Sequence, residues 1–313
     1  MQLSARVKVG DNLKTIKSLP DKSVQTVVTS PPYWGLRDYG EDEQLGLEPK
    51  PDDFIENLCR VFDEVWRVLK DDGTIWVNLG DSYSAQRWTG SGKGQAMNKN
   101  NDGHRDINPI KESGLPDKNL VGIPWKFAFA MQARGWYLRQ DIIWSKPNPM
   151  PESVRDRCTK SHEYIFLMTK QPKYYYDNEA IKEDAIWAEE KRAGQGRLNY
   201  QGKRQGVEGT GQEAFVSIVD KRNKRSVWTI NVKAYREAHF ATYPPELVTP
   251  CILAGSKEGD IVLDPFSGSG TTGEVALKHG RNYIGLELNP DYAVLSERRL
   301  TKAVGMFGVV SVE

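Results

Sequence analysis

The run Val24-Gln25-Thr26-Val27-Val28-Thr29 is β-branched and apolar, and it stops against Ser30-Pro31-Pro32. Such a run predicts a short buried strand. Two successive prolines end it, because proline has no N–H to give a ladder and fixes its own φ. What stands at the strand's C-terminal end is a stiff elbow bearing one hydroxyl (Ser30), exposed carbonyls and two aromatic rings, Tyr33 and Trp34. In an open α/β sheet, ligands bind beyond the carboxyl ends of the strands. Pro-Pro alone fits a rigid turn with its aromatics tucked into the core. Ser-Pro-Pro-Tyr directly after a buried strand favours a functional elbow.

Around this elbow the chain reads as alternating strands and helices. Val7 to Asp11 predicts a strand ending in Gly10-Asp11, and Asn12 to Leu19 a short helix. Residues 35–50 are polar and read as a loop. Phe54, Ile55, Leu58, Val61, Phe62, Val65, Trp66 and Leu69 have helical spacing, with Asp71-Asp72-Gly73 as the expected helix stop. Strands follow at Thr74–Leu79, Trp136–Trp144 and His162–Thr169, with a helix at Pro124–Arg134. Asp81 reads as a turn residue, and Lys146 and Asn148, taken singly, as surface groups. Ser226 to Val232 is strand-like, and a helix follows from Pro244 through Leu253.

At 313 residues, 38% hydrophobic and 27% charged, the chain has room for one large α/β domain with an insertion. No apolar run approaches membrane-spanning length and the N-terminus is no signal peptide, so a cytoplasmic protein without a membrane partner is expected. The three cysteines have no zinc-like spacing with the four histidines, and no metal is expected. Cys59 and Cys251 read as buried packing groups. The net charge of +1 means that any nucleic-acid contact must use a local basic surface. Two tracts break the α/β rhythm. Residues 84–118 are rich in Gly, Ser, Asn and Lys, and a loop that long is functional or disordered. Between Lys191 and Arg225 stand nine Lys or Arg against three acids, the composition of a phosphate-backbone contact, although charge runs are commonly solvated loops.

The last third carries a second motif. Ile261-Val-Leu-Asp264 predicts a strand, followed by Pro265-Phe266-Ser267-Gly268-Ser269-Gly270-Thr271-Thr272-Gly273, a helix, and a strand containing Glu287. Glycines 268, 270 and 273 satisfy G-x-G-x-x-G between a strand and a helix. That pattern predicts a nucleoside held close to the backbone, with Glu287 accepting from two ribose hydroxyls. It fits a dinucleotide-dependent oxidoreductase as well as an S-adenosylmethionine enzyme.

Thr29-Ser30-Pro31-Pro32-Tyr33-Trp34 resembles the target-base motif of amino-group DNA methyltransferases, which modify N4 of cytosine or N6 of adenine. Asp264-Pro265-Phe266-Ser267-Gly268-Ser269-Gly270-Thr271-Thr272 resembles the segment that holds the methionine part of S-adenosyl-L-methionine in the same family. The target motif precedes the cofactor motif, as in the circularly permuted β group. The resemblance implies a Rossmann-like α/β fold: a mostly parallel seven-stranded sheet with helices on both faces, plus a DNA-recognition insertion. In that division residues 1–170 form the target-base half, 171–226 the insertion and 227–313 the cofactor half. It further implies S-adenosyl-L-methionine as cofactor and double-stranded DNA as partner. A cognate restriction endonuclease would belong to the same system without contact being implied, and the chain would work as a monomer or homodimer.

Residue by residue, the resemblance implies that Ser30, Pro31, Pro32 and Tyr33 serve the target base. Asp11, Phe240, Thr242, Asp264, Pro265, Phe266, Gly268, Ser269, Gly270, Thr271, Thr272 and Glu287 would serve the cofactor, with Asp264 near its ammonium group. An exocyclic amino nitrogen is a poor nucleophile because its lone pair is delocalised into the ring. Acceptors such as the Ser30 hydroxyl and the Pro31 carbonyl would favour a more tetrahedral nitrogen, and Tyr33 would stack on a base rotated out of the duplex. Serine at the first motif position resembles the cytosine-N4 enzymes, with adenine N6 as the alternative.

Overall fold

The structure, a computed structural model, describes residues 2–36, 40–41, 43–84, 113–185, 220–232, 243–305 and 308–313. In chain order the elements are β1 (Ser4–Val9), α1 (Asn12–Thr15), β2 (Val24–Thr29), α2 (Pro51–Val68), β3 (Leu69–Leu79), α3 (Ile123–Ala133), β4 (Tyr137–Ser145) and β5 (His162–Thr169). There follow β6 (Glu183–Asp184), β7 (Lys221–Arg222), β8 (Val227–Thr229), α4 (Pro245–Gly255), β9 (Ile261–Asp264), α5 (Thr271–Lys278), β10 (Asn282–Glu287), α6 (Pro290–Val304) and β11 (Val309–Val312). The chain divides into two compact units, Met1–Asp177 with Ser226–Glu313, and Asn178–Arg225. In the smaller unit β6 and β7 pair antiparallel, and Glu183 accepts from Arg222 Nε at 2.9 Å and Arg225 Nε at 2.6 Å.

The larger unit is built on a sheet of order β11-β1-β10-β9-β2-β3-β5-β4-β8, so among the described residues it has nine strands where seven were expected. The sheet is extended at its edges by short strands. β11 pairs with β1, Val9 N–H donating to the Glu313 carbonyl at 2.7 Å, and its residues Val309-Val310-Ser311-Val312 are a short β-branched run that the sequence reading left unassigned. Only β5 runs against its neighbours, β3 and β4; the other described pairings in this sheet are parallel.

Period-2 alternation sorts each strand between two helical layers. Val27, Ile75 and Val77 join the core built by Phe54, Leu58 and Phe62 of α2 and by Phe127 and Met131 of α3. The alternate positions Thr26, Val28 and Trp76 turn toward α4, where Gly255 and Cys251 lie against them. Phe62 and Phe127 are fully buried with ring centroids 5.2 Å apart; truncating either to alanine costs about 3–5 kcal/mol. Cys59 and Cys251 are both buried, and Cys251 Sγ donates to the Leu247 carbonyl one helical turn back.

One boundary differs from the sequence reading. Asp71-Asp72-Gly73 does not stop α2; the chain passes from Val68 straight into β3, and these residues lie inside that strand. The pairing with β2 jumps from Val24↔Leu69 to Thr26↔Thr74, so the extra residues form a bulge. Gly73 fits there because a Cβ would sit 2.7 Å from Leu69 Cδ1 and 2.8 Å from the Gln25 carbonyl. Pairing across the sheet overrides a local helix-stop signal.

The topology also fixes where a ligand can go. From β2 the chain proceeds through α2 to β3 on one side, and from β9 through α5 to β10 on the other. Adjacent strands that send their connections opposite ways leave a crevice at their carboxyl ends.

Candidate active site

A cavity of about 660 Å³ lies in that crevice. Its walls are the segments that follow the parallel strands: Asp11 after β1, the Ser30–Tyr33 elbow after β2, Gly80 and Asp81 after β3, Lys146 after β4, the Pro265–Ser269 turn after β9 and Glu287 at the end of β10. β5 is antiparallel, so its first residues, His162 and Glu163, reach the same place.

The glycine turn approaches α6 closely. Gly270 has φ +78°, and a Cβ there would lie 2.4 Å from Ser296 Oγ. Arg299 of α6 ties the turn down from outside, donating to Thr271 Oγ1 at 2.9 Å and Ser269 Oγ at 3.2 Å. On the inner side Glu287 accepts from Gly268 N–H at 2.6 Å and from Asn289 N–H at 3.0 Å. Burial pushes the Glu287 carboxyl up to about 7, although those two N–H groups favour its charged form. Asp11 accepts from Leu13 N–H at 2.9 Å at the start of α1, and Asn12 Nδ2 reaches the Pro265 carbonyl at 3.3 Å.

Asp264 is a correction to the sequence reading. It does not line the cavity. Its carboxylate accepts from Thr29 Oγ1 at 2.6 Å, Thr272 Oγ1 at 2.6 Å, Phe266 N–H at 3.0 Å and Tyr243 Oη at 3.1 Å. Burial raises its pKa against these four donors. Asp264 therefore sits one layer down, joining the last residue of β2 to the first turn of α5, and it braces both motifs rather than facing an ammonium group. Thr272 lies with it below the surface, and Gly270 is likewise outside the lining. Phe240 and Thr242 lie outside the described residues, as do residues 85–112 of the long polar tract and 191–219 of the basic stretch.

At the elbow the two rings part company. Trp34 folds into the core at 2% exposure, its Nε1 donating to the Glu48 carbonyl. Tyr33 lines the cavity, with its ring seated on Gly80: a Cβ there would be 2.6 Å from Tyr33 Cε2. The Tyr33 hydroxyl donates to Glu163 Oε2 at 2.6 Å and lies 3.2 Å from Asn78 Oδ1. Asn78 Nδ2 reaches the same glutamate oxygen at 3.0 Å and the Tyr164 carbonyl at 3.2 Å, and Ser30 Oγ donates to Asn78 Oδ1 at 3.3 Å. Lys146 closes the cluster by an ion pair with Glu163 Oε1, and its ammonium lies 4.2 Å from the Trp144 ring centroid. Asp81 has more than a turn's role: it takes the N–H groups of Gly122 and Ile123 at 3.0 Å, capping α3.

Of the residues singled out from the sequence, the fold thus brings Asp11, Ser30, Pro31, Pro32, Tyr33, Pro265, Phe266, Gly268, Ser269, Thr271 and Glu287 onto one cavity. Sequence reasoning missed Asn78 and Glu163. Each is the second residue from the cavity end of its strand, beside an apolar run (Ile75 to Val77 in β3, Ile165 to Met168 in β5), and a polar group held there needs partners.

A doubly wound α/β sheet whose switch-point cavity joins a glycine-rich strand-to-helix turn to a polar proline elbow defines the class. The chain matches the N6_N4_Mtase family model, a DNA methylase, over residues 24–298, and it belongs to that family of DNA amino-methyltransferases. This sets aside the oxidoreductase reading of the glycine turn. It is similar to type II methyltransferase M.Cfr9I of Citrobacter freundii, at 48% identity over 292 residues covering 93% of this chain and 86% of the relative. Type II methyltransferase M.SmaI of Serratia marcescens is 45% identical over 304 residues, covering 96% and 91%. Among solved structures, the Thermus thermophilus protein TTHA0409 in complex with S-adenosyl-L-methionine is similar with a TM-score of 0.59 and 26% identity over 98% of this chain and 99% of that one.

Proposed function

We propose that the protein is a type II DNA methyltransferase that uses S-adenosyl-L-methionine to methylate the exocyclic N4 of cytosine in a base rotated out of the duplex. The observation that carries the reading is the junction of two motifs on one cavity: the Ser30-Pro31-Pro32-Tyr33 elbow faces the Pro265–Ser269 turn and Glu287. The residues present suit the cofactor. Glu287 offers a buried carboxylate to ribose hydroxyls, and the turn, held tight by Gly270, brings backbone and small side chains to the cavity wall. When bound, the cofactor supplies an electrophilic methyl group on a sulfonium.

The chain's own groups do the rest by positioning. Ser30 Oγ and the Pro31 carbonyl accept the two N–H bonds of the target amino group and free its lone pair. The Tyr33 ring stacks on the extruded base. Serine at position 30 is what favours cytosine over adenine. The basic stretch 191–225 belongs to DNA contact in this reading, within the 171–226 insertion between the target-base half (1–170) and the cofactor half (227–313).

The test is mass spectrometry of nucleosides from unmethylated DNA treated with the protein and methyl-labelled cofactor. Labelled N4-methylcytosine is expected. Labelled N6-methyladenine would overturn the choice of base while keeping the site, and an unlabelled nucleoside pool from protein that binds the cofactor would remove DNA as substrate.

A further inference from the structure

A serine hydroxyl is ambiguous: it donates one hydrogen and accepts two. Ser30 serves an amino group only if its own proton points elsewhere. The structure shows where it goes. Ser30 Oγ donates to Asn78 Oδ1, and the Asn78 amide can present only that oxygen, because both of its N–H bonds are taken by Glu163 Oε2 and the Tyr164 carbonyl. A flipped amide would set its oxygen against two acceptors. Glu163 is held in turn by Lys146 on one oxygen and by the Tyr33 hydroxyl on the other.

From this geometry we infer that Asn78 and Glu163 are positioning residues that lock the Ser30 hydroxyl as an acceptor toward the target amino group. The inference rests on the proposed transfer to an amino nitrogen. The chain of bonds starts at an ion pair and ends at the elbow. Lys146 with Tyr33 fixes the Glu163 carboxylate, Glu163 with the Tyr164 carbonyl fixes the Asn78 amide, and Asn78 fixes the Ser30 proton. The Ser30 lone pairs then face outward. Tyr33 belongs to both halves of the arrangement, since the ring that would stack on the base carries the hydroxyl that holds Glu163. The Ser30–Asn78 bond is long at 3.3 Å, as such bonds commonly are before substrate binds. The arrangement also discriminates: a pyrimidine with a carbonyl at C4 would meet acceptor against acceptor, so the site excludes thymine and uracil by repulsion as well as by lack of a nucleophile.

The experiment is single-turnover methylation of target-containing DNA by N78A, S30A and the double variant, with dissociation constants for S-adenosylhomocysteine and for DNA measured beside it. N78A is expected to slow methyl transfer by about tenfold to a hundredfold, with both dissociation constants within about twofold of the wild type. In the S30A background the same change is expected to have almost no further effect, because Asn78 acts through Ser30. Equal fold-losses in both backgrounds would overturn the inference, as would an N78A rate loss that tracks weakened cofactor binding. N78D supplies a readout that packing alone does not move. Its carboxylate must share a proton with Glu163, so its rate is expected to rise as pH falls while the wild-type rate does not; parallel pH profiles would also overturn the idea. Wild-type protein that labels no base would instead sink the proposed function itself, and that outcome is seen before any variant is made.

Discussion

In the proposed cofactor site, the Glu287 carboxyl, with its pKa pushed up to about 7 by burial, is expected to make cofactor binding sensitive to pH in the neutral range. If the ionised carboxylate accepts ribose hydroxyls, only that form binds well. With a pKa of about 7 the ionised fraction falls from about nine-tenths at pH 8 to about one-tenth at pH 6, a factor of about ten or about 1.4 kcal/mol. The unliganded protein should respond in the opposite sense. The folded-state pKa lies above the ordinary value of 4.5, so the stabilisation due to protonation is full below about 4.5 and is lost as pH rises through about 7. Over that window the loss is about 3 kcal/mol, of which about 1 kcal/mol falls between pH 6 and 8. Calorimetric titration with S-adenosylhomocysteine at pH 6, 7 and 8 reads the first effect, and thermal unfolding without ligand the second. E287Q is expected to bind about tenfold to a hundredfold more weakly at pH 8, through loss of charged hydrogen bonds worth about 1.5–3 kcal/mol, and to lose the pH slope. Wild-type affinity that is flat from pH 6 to 8, or an E287Q slope equal to the wild type's, would refute the reasoning.

Other outcomes follow from close approaches in the fold. Gly80→Ala places a methyl group 2.6 Å from Tyr33 Cε2, so the ring must leave its seat; DNA methylation is expected to fall by about tenfold to a hundredfold with cofactor affinity unchanged, read by labelled transfer and calorimetry. Gly270→Ala combines a left-handed φ with a Cβ 2.4 Å from Ser296 Oγ, and is expected to cost about 2–5 kcal/mol in urea unfolding and to weaken cofactor binding; an unchanged midpoint would contradict the contact. Tyr33→Phe keeps the stacking surface but releases Glu163, so its methyl-transfer rate should fall between those of wild type and Tyr33→Ala. Thiol labelling of the native protein should modify Cys158 alone: Cys251 is buried, and burial both hides Cys59 and pushes its thiol up to about 12. Fast labelling of all three would mean that the packing around α2 or α4 is wrong.

The features legible from residues alone were those with local causes. Two prolines must end β2, and a glycine turn between a strand and a helix lets the backbone come up to the cavity wall; both depend on φ and N–H chemistry within a few residues. Glu287 was readable because it ends a strand at a set distance from that turn. The same local reasoning failed where partners come from far along the chain. Asp71-Asp72-Gly73 looks like a helix stop, yet pairing with β2 draws it into β3. Asp264 looked like a cofactor ligand, but β9 turns its carboxylate inward to meet Thr29, 235 residues away. Trp34 and Tyr33 are adjacent and aromatic, and only packing sends one to the core and the other to the cavity.

The sequence by itself determined the α/β class, the two motifs and their order, because strand period, proline and glycine act over short spans. Tertiary structure alone decided which polar groups meet at the elbow. Parallel strands bring their carboxyl ends to one edge however far apart they lie in the chain, and the reversed strand β5 delivers Glu163 there from its opposite end. Strand direction and side-chain parity are set by pairing across the sheet, so the Lys146–Glu163–Asn78–Ser30 chain exists only once the sheet is assembled.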